Sequence, residues 1–284
     1  MKPSTSFRQE LVGVFGDPVA ENPTQAMIEA AFAEIGMDWR YLTVEVKPEA
    51  LGDAVKGARA MNWKGFNCTI PHEVAVVPLL DRLNPAAKII GAVNCVINRH
   101  GELVGDNTDG KGFLQSLAGI HGIRGLRAVI LGAGGAARAI AVELGLAHAS
   151  QITIVNRSRE RGEALVRLLG DRTAAASSLV AWEGKYHIPE DTDVVINATP
   201  IGLFPDVEAR LPVDTESLQP RMIVCDLIPN PPQTRFLRDA AMRGCTVLDG
   251  LGMLVNQGVI GIRLWSGREP SSQVMRQALE KALL

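Results

Sequence analysis

Ala128-Val-Ile-Leu131 running into Gly132-Ala-Gly-Gly-Ala-Ala137 is the stretch that decides the fold. The apolar run reads as a strand buried on both faces, and the residues beyond Ala137, to about Ala147, read as a helix. Between them lies the G-x-G-x-x-A form of a dinucleotide turn. Glycine is needed there because the chain must turn sharply and let a pyrophosphate approach the backbone, where unpaired helix N–H groups and the helix dipole receive the anion. The strand-turn-helix setting predicts a doubly wound, Rossmann-type parallel sheet.

Working outward toward the C-terminus, Gln151-Ile-Thr-Ile-Val155, Asp193-Val-Val-Ile-Asn197, Arg221-Met-Ile-Val-Cys225 and Thr246-Val-Leu248 are further nearly continuous apolar strands of that sheet. At the end of the first of these, a carboxylate would hold the ribose 2'-hydroxyl of NAD. This chain carries Asn156-Arg-Ser-Arg-Glu-Arg161 instead. A carboxylate repels a 2'-phosphate and arginines grip one bidentately, so NADP is the expected cofactor. Arg157 and Arg161 are placed to face the phosphate, with Arg159 pointing elsewhere.

Toward the N-terminus, short strands alternate with helices, which predicts βαβ units feeding a parallel sheet. Leu11–Phe15 is the first strand. Thr24 is read as the N-cap of a helix with Met27, Ile28, Ala31, Phe32 and Ile35 on its apolar face and Gly36 at its end. Tyr41–Val46, Gly65–Thr69 and Gly91–Asn98 are read as strands. Helices are expected over Leu51–Met61, from Pro71 toward Leu83, and near Gly110–Leu117. Two helices close the chain from Gly252 to Leu284. The expected division is 1–112 as a substrate-binding α/β domain, 113–250 as the dinucleotide domain, and 251–284 as helices packing back on the first domain.

The polar segments Asn67-Cys-Thr69, Gly91-Ala-Val-Asn94 and Gly105-Asp-Asn-Thr-Asp109 each follow or close an apolar strand. Polar residues at strand carboxyl ends gather where such sheets bind ligands, so these predict a site for a polyhydroxylated small molecule.

Composition excludes other classes. With 284 residues, of which 46% are hydrophobic, two domains are the default. A net charge of -2 leaves no basic surplus for a nucleic acid. The four cysteines form no CxxC pair and the five histidines no ligand spacing, so reduced thiols and no metal are expected. The opening MKPSTSFRQE lacks an apolar signal core and no apolar run approaches a membrane span, which reads as a cytoplasmic protein without a membrane partner. The oligomeric state is read as monomer or homodimer.

Taken jointly and in order along nearly the whole chain, Asn67-Cys-Thr-Ile-Pro-His72, Gly91-Ala-Val-Asn94, Asn107-Thr-Asp109 with Gly112-Phe113, Gly132-Ala-Gly-Gly-Ala-Ala-Arg138, Asn156-Arg157-Ser158 and Gly252-Met-Leu-Val-Asn-Gln-Gly258 resemble the shikimate dehydrogenase family, including quinate/shikimate dehydrogenases. The resemblance implies reversible hydride transfer between NADP(H) and the 3-dehydroshikimate/shikimate pair, or a quinate-type ring carboxylic acid, across a cleft between two domains. It implies a catalytic Lys–Asp pair, with the Asp matching Asp109. Substrate would be held by Asn22, Thr24, Thr69, Asn94, Asp109 and Gln257. Cofactor would be held by Gly132, Ala133, Gly134, Gly135, Ala136, Asn156, Arg157, Arg161, Thr199 in the Asn197-Ala-Thr199 segment, and Gly250.

The chain departs from the family's pattern in three places. Glu73 stands where the motif has its catalytic Lys; an ionised glutamate accepts only, whereas in a like-charge pair with Asp109 one carboxyl would hold a proton and donate it. Lys64 and Lys88 are the nearest lysines in sequence. Asn22 and Thr24 replace the family's carboxylate-binding serines, and Pro229 replaces a substrate-contacting tyrosine. Two alternatives therefore stay open beside the dehydrogenase: a catalytically silent NADP-binding paralogue or inactive variant, and a reductase of another small hydroxylated or amino-substituted acid.

Overall fold

The computed structural model describes residues 7–283; the opening segment 1–6 lies outside them. The chain divides into two compact units, one formed by 1–108 and 258–284 and the other by 109–257. The first crossing falls four residues before the expected boundary at 112/113, and the return falls inside a helix instead of at its start.

In the first unit, β1 (Glu10–Gly16), α1 (Thr24–Glu34), β2 (Trp39–Glu45), α2 (Leu51–Ala60) and β3 (Gly65–Cys68) form the expected βαβ alternation, with parallel β1–β2 and β1–β3 pairing. Thr24 is the first residue of α1 and not its cap. Pro23 occupies the cap position, and the Asn22 side-chain oxygen accepts from Thr24 N at 3.0 Å. The single helix expected from Pro71 is instead α3 (His72–Ala75), a 3-10 turn at Val77–Leu79, the two-residue β4 (Arg82–Leu83) and α4 (Pro85–Ile90). Pro78 and Pro85 break the run, since proline removes a donor and disfavours helix in the residue before it.

The expected strand over Gly91–Asn98 is also corrected. Gly91 ends α4 at φ 73, and β5 covers Cys95–Arg99. His100 and Gly101, at φ 57 and φ 97, then turn the chain back into β6 (Glu102–Asp106), a strand absent from the expectation. The sheet order is β2-β1-β3-β5-β6-β4, and β3–β5 and β5–β6 are antiparallel, so this sheet is mixed and not parallel throughout. One face packs Phe15, Leu51, Val55, Trp63, Phe66, Cys68 and Val93 together. On the other, Trp265 donates to Val96 O at 3.0 Å and lies so near Gly65 that no side chain fits there.

The second unit contains α5 (Asp109–Ala118), β7 (Arg127–Leu131), α6 (Gly135–Leu146), β8 (Gln151–Asn156), α7 (Arg159–Arg172), β9 (Ala176–Ala181), β10 (Tyr186–His187), β11 (Val194–Asn197), β12 (Val213–Asp214), β13 (Ile223–Asp226), α8 (Arg235–Met242) and β14 (Thr246–Leu248). α9 (Gly250–Ser266) carries the chain back to the first unit, where α10 (Ser272–Ala282) packs on α1. The main sheet runs β14-β13-β11-β7-β8-β9 with every pairing parallel. Counted within the unit this is 3-2-1-4-5-6 read from the other edge, the Rossmann order, with its switch point beside β7. β7, β8, β11 and β13 are buried along nearly their whole length, which is why they read as unbroken apolar runs.

Candidate active site

The dinucleotide turn sits at the carboxyl end of β7. Gly132 has φ +109, and a β-carbon there would approach Ala198 O at 3.0 Å, so only glycine fits. Gly134 and Gly135 have open space where side chains would stand. Ala137 is fully buried against the sheet. A cavity of about 220 Å³ opens here, lined by Gly132, Ala133, Gly134, Asn156, Arg157, Arg161 and Thr199 together with Trp182, Ala198, Pro200, Ile201 and Pro212. Gly135 and Ala136 form the first turn of α6 and leave their backbone N–H groups at its N-terminus.

Two hydrogen-bonded frames hold that wall. Asn156 donates to Ser158 O at 2.7 Å, and Ser158 caps α7 by accepting from Arg161 N. Asn197, fully buried, accepts from Thr199 N at 3.0 Å and Oγ1 at 2.7 Å while donating to Asp226 at 3.0 Å. Asn197 thus positions Thr199 instead of lining the cavity. Arg159 is committed to Glu163 at 2.9 Å on the exposed side of α7. Arg138, in the second turn of α6, has a buried Nε without a hydrogen-bond partner. Open space before the glycines and two arginines at the β8 end fit a bound dinucleotide phosphate.

In the first unit, the ends of β1 and β3 bring Asn22, Thr24, Thr69, Glu73 and Asn94 to one region. A β-carbon on Gly16 would stand 2.5 Å from Thr69 Cγ2 and 3.1 Å from Val19 Cγ2, so Gly16 lets the loop after β1 close on Thr69. His72 N donates to Thr69 O at 2.8 Å, and Val93 N donates to Glu73 O at 2.8 Å, which ties Glu73 to the residue before Asn94. Asn94 Oδ1 accepts from Thr108 N at 2.8 Å, and Asn94 O accepts from Asn67 Nδ2 at 2.8 Å. Asn67 in turn accepts from the buried Tyr41 hydroxyl at 2.8 Å.

Glu73 is half-buried, and burial raises its carboxyl above the ordinary glutamate value against the opposing pull of its own backbone N–H and of His72. Burial, then the Glu73 charge, push the Cys68 thiol up, so that charge lies against the β3 end. Lys64 is at the opposite end of β1, paired with Glu10 at 3.5 Å. Lys88 is exposed on the last turn of α4 and exerts no resolved effect on Glu73.

Asp109 and Gln257 both belong to the second unit. Asp109 opens α5. One turn on, a β-carbon on Gly112 would meet Gln257 N at 2.7 Å, and Asn256 donates to Ser116 Oγ at 2.9 Å, so α5 and the first half of α9 touch backbone to backbone. Gly250 lies where a β-carbon would meet Ile228 O at 2.5 Å; its lack of a side chain answers to that packing, and it does not line the cavity. Pro229 lies in the connection after β13. Among the described residues no group of three or more His, Cys, Asp or Glu is arranged for a metal ion, and no helix is long and apolar enough to cross a membrane. Sequence reasoning missed Trp182, Ile201 and Pro212, which reach the cavity from segments without a motif.

A Rossmann unit with a phosphate turn, together with an α/β unit gathering polar side chains at its strand ends, defines a dinucleotide-linked oxidoreductase acting on a small molecule. Family models match as follows: the shikimate dehydrogenase substrate binding domain over residues 14–96, shikimate/quinate 5-dehydrogenase over 116–204, and the shikimate 5'-dehydrogenase C-terminal domain over 250–280. The chain is 42% identical over 280 residues to the shikimate dehydrogenase (NADP(+)) of Desulforamulus reducens, covering 96% of each. Among solved structures, it is similar to the ligand-free 5-ketofructose reductase of Gluconobacter sp. strain CHM43, at 56% identity and TM-score 0.95, covering 97% of this chain and 99% of that one. It is also similar to the Thermus thermophilus shikimate 5-dehydrogenase in complex with NADP(H) and shikimate, at 35% identity and TM-score 0.85, covering 97% and 100%. The chain belongs to the shikimate dehydrogenase family, a family of NADP-dependent oxidoreductases.

Proposed function

We propose that this chain binds NADP(H) in the second unit and interconverts a ketone and a secondary alcohol on a small polyhydroxylated substrate, by the reaction type of shikimate dehydrogenase. The observation that carries this reading is the cavity shared by Gly132, Gly134, Asn156, Arg157, Arg161 and Thr199. It offers phosphate-binding backbone at one end and two arginines, with no carboxylate among its lining residues, at the other.

When bound, NADPH supplies a hydride to the carbonyl carbon and leaves as NADP+. What the chain must supply is orientation and one proton for the carbonyl oxygen. Asp109 is the acid/base residue in this reading, and Glu73, at the position where the family resemblance leads one to expect lysine, is the second proton-carrying group. Its raised carboxyl keeps a proton to higher pH than an exposed glutamate does. Asn22, Thr24, Thr69, Asn94 and Gln257 hold the substrate's hydroxyls, and Gly250 supports the cofactor side through its packing on Ile228.

Two substrate types have support. Relatives named shikimate dehydrogenase favour 3-dehydroshikimate/shikimate, a ring carboxylic acid. The higher identity to a 5-ketofructose reductase favours an uncharged ketose. We further place the protein in the cytoplasm, on the strength of buried cysteines that form no disulfide and of NADP chemistry, and read it as a monomer or homodimer. The test is NADPH oxidation by the purified chain with 3-dehydroshikimate, 3-dehydroquinate and 5-ketofructose offered separately. Turnover with at least one is expected, and none with any contradicts the reading.

A further inference from the structure

Every side chain that the first unit contributes to the reading above is uncharged except Glu73. Asn22 has its amide oxygen committed to Thr24 N at 3.0 Å, which leaves its NH2 group to donate. Among the described residues nothing is hydrogen-bonded to the Thr24 and Thr69 hydroxyls, so each can both donate and accept. This set suits hydroxyl and carbonyl oxygens.

Two lysines of the β1 and β2 region are already used. Lys47, which follows the β2 end, is bound to Asp17 at 2.8 Å and Glu45 at 2.9 Å, while Lys64 sits at the far end of β1 with Glu10. The Glu73 side chain has neither a hydrogen bond to another side chain nor an ion pair, and among the described residues His72 is the side chain whose charge acts on it. Its backbone is pinned through Val93 beside Asn94, so the carboxyl is held at the site and not free to swing away with a loop.

We propose that Glu73 makes this chain select an uncharged polyhydroxylated ketone over a ring carboxylate. The inference rests on the oxidoreductase reading above and decides between its two substrate types. A carboxylate-bearing substrate brings a negative charge into a half-buried space where the Glu73 carboxyl, which makes no ion pair, has the same sign. Among the described residues, no lysine or arginine is one of the groups that act on the Glu73 carboxyl. A ketose brings only hydroxyls and a carbonyl, which the amides and threonines satisfy, and the Glu73 carboxylate can accept from one of its hydroxyls. Repulsion between like charges several ångströms apart in such a setting corresponds to roughly 10- to 100-fold in kcat/KM.

The test compares kcat/KM for 5-keto-D-fructose and for 3-dehydroshikimate on the full chain and on its Glu73→Gln and Glu73→Lys variants, with NADPH binding to each measured separately by fluorescence. The wild-type chain is expected to favour 5-keto-D-fructose by about 10- to 100-fold or more. Glu73→Gln is expected to narrow that ratio by lowering KM for 3-dehydroshikimate, and Glu73→Lys to narrow it further, whatever either variant does to kcat on both substrates. Equal efficiency of the wild type on the two ketones overturns the proposal, as does a ratio unchanged in variants that still bind NADPH. A chain that binds NADPH and oxidises it with neither ketone contradicts the oxidoreductase reading itself, a result distinct from a lost preference.

Discussion

A β-carbon on Gly132 would lie 3.2 Å from Thr199 Cγ2, so the first glycine of the turn is wedged against the very residue that closes the cavity from the β11 side. Thr199 cannot retreat, because Asn197 holds both its N–H and its hydroxyl. Gly132→Ala must therefore strain the backbone at φ +109 and push on Ala198 and Thr199 together. A loss of about 1–3 kcal/mol in stability is expected, with NADP affinity falling roughly tenfold or more. Urea unfolding and titration calorimetry check the two effects. A variant with wild-type affinity would show that the turn does not carry the cofactor.

Arg157 and Arg161 line the same cavity, whereas Arg159 is spent on Glu163. Arg157→Ala and Arg161→Ala are each expected to weaken NADP by about 10- to 100-fold, the worth of a charge-assisted hydrogen bond, while leaving NAD nearly unchanged. Arg159→Ala should alter neither. Parallel losses for NADP and NAD would mean that the arginines act on a group common to both.

Asp226 joins the cavity wall to the core. Burial pushes its carboxyl up to about 6, against hydrogen bonds from Thr234, Asn197 and Ile228 that hold it down. The unfolded carboxyl titrates near 4, so between these values the folded state holds more protons than the unfolded. Its contribution to stability is therefore full below about pH 4 and falls as pH rises toward 6, by ~3 kcal/mol in all. Asp226→Asn keeps the accepting oxygen for Asn197 and Ile228 and should flatten that slope. Urea unfolding of both proteins at about pH 4.5 and about pH 7 reads the difference; identical slopes would remove Asp226 from the account.

The Rossmann unit was legible because its central strands are buried on both faces and so print as unbroken apolar runs, with the glycine turn at the expected junction. The edge strand β9, Ala-Ser-Ser-Leu-Val-Ala, has no such signal: its residues are half-buried or exposed in alternation with small polar ones. In the first unit, β6 was hidden because Gly105 and Asp106 read as site residues, and the reversal at His100-Gly101 depends on two positive φ values that composition alone does not announce. Pro23 takes the cap position of α1 and has no side-chain oxygen to offer, so Asn22, one residue earlier, accepts from Thr24 N instead. The motif residues Gly132, Asn156, Arg157, Arg161 and Thr199 line one cavity, as the motifs suggested. Trp182 and Pro212, joined by an indole-to-carbonyl hydrogen bond of 3.0 Å, were not legible, since only the three-dimensional course of the chain brings them to the cavity.

The central claim is that this chain moves a hydride between NADPH and a polyhydroxylated ketone with Asp109 as its acid/base residue. The direct measurement is NADPH consumption by the wild type and by Asp109→Asn, with 5-keto-D-fructose as the ketone and NADPH binding to both confirmed beforehand. The account predicts steady consumption by the wild type, matched by alcohol formed, and at most about a thousandth of that rate in the variant at unchanged NADPH affinity. An Asp109→Asn variant that consumes NADPH at the wild-type rate would contradict it.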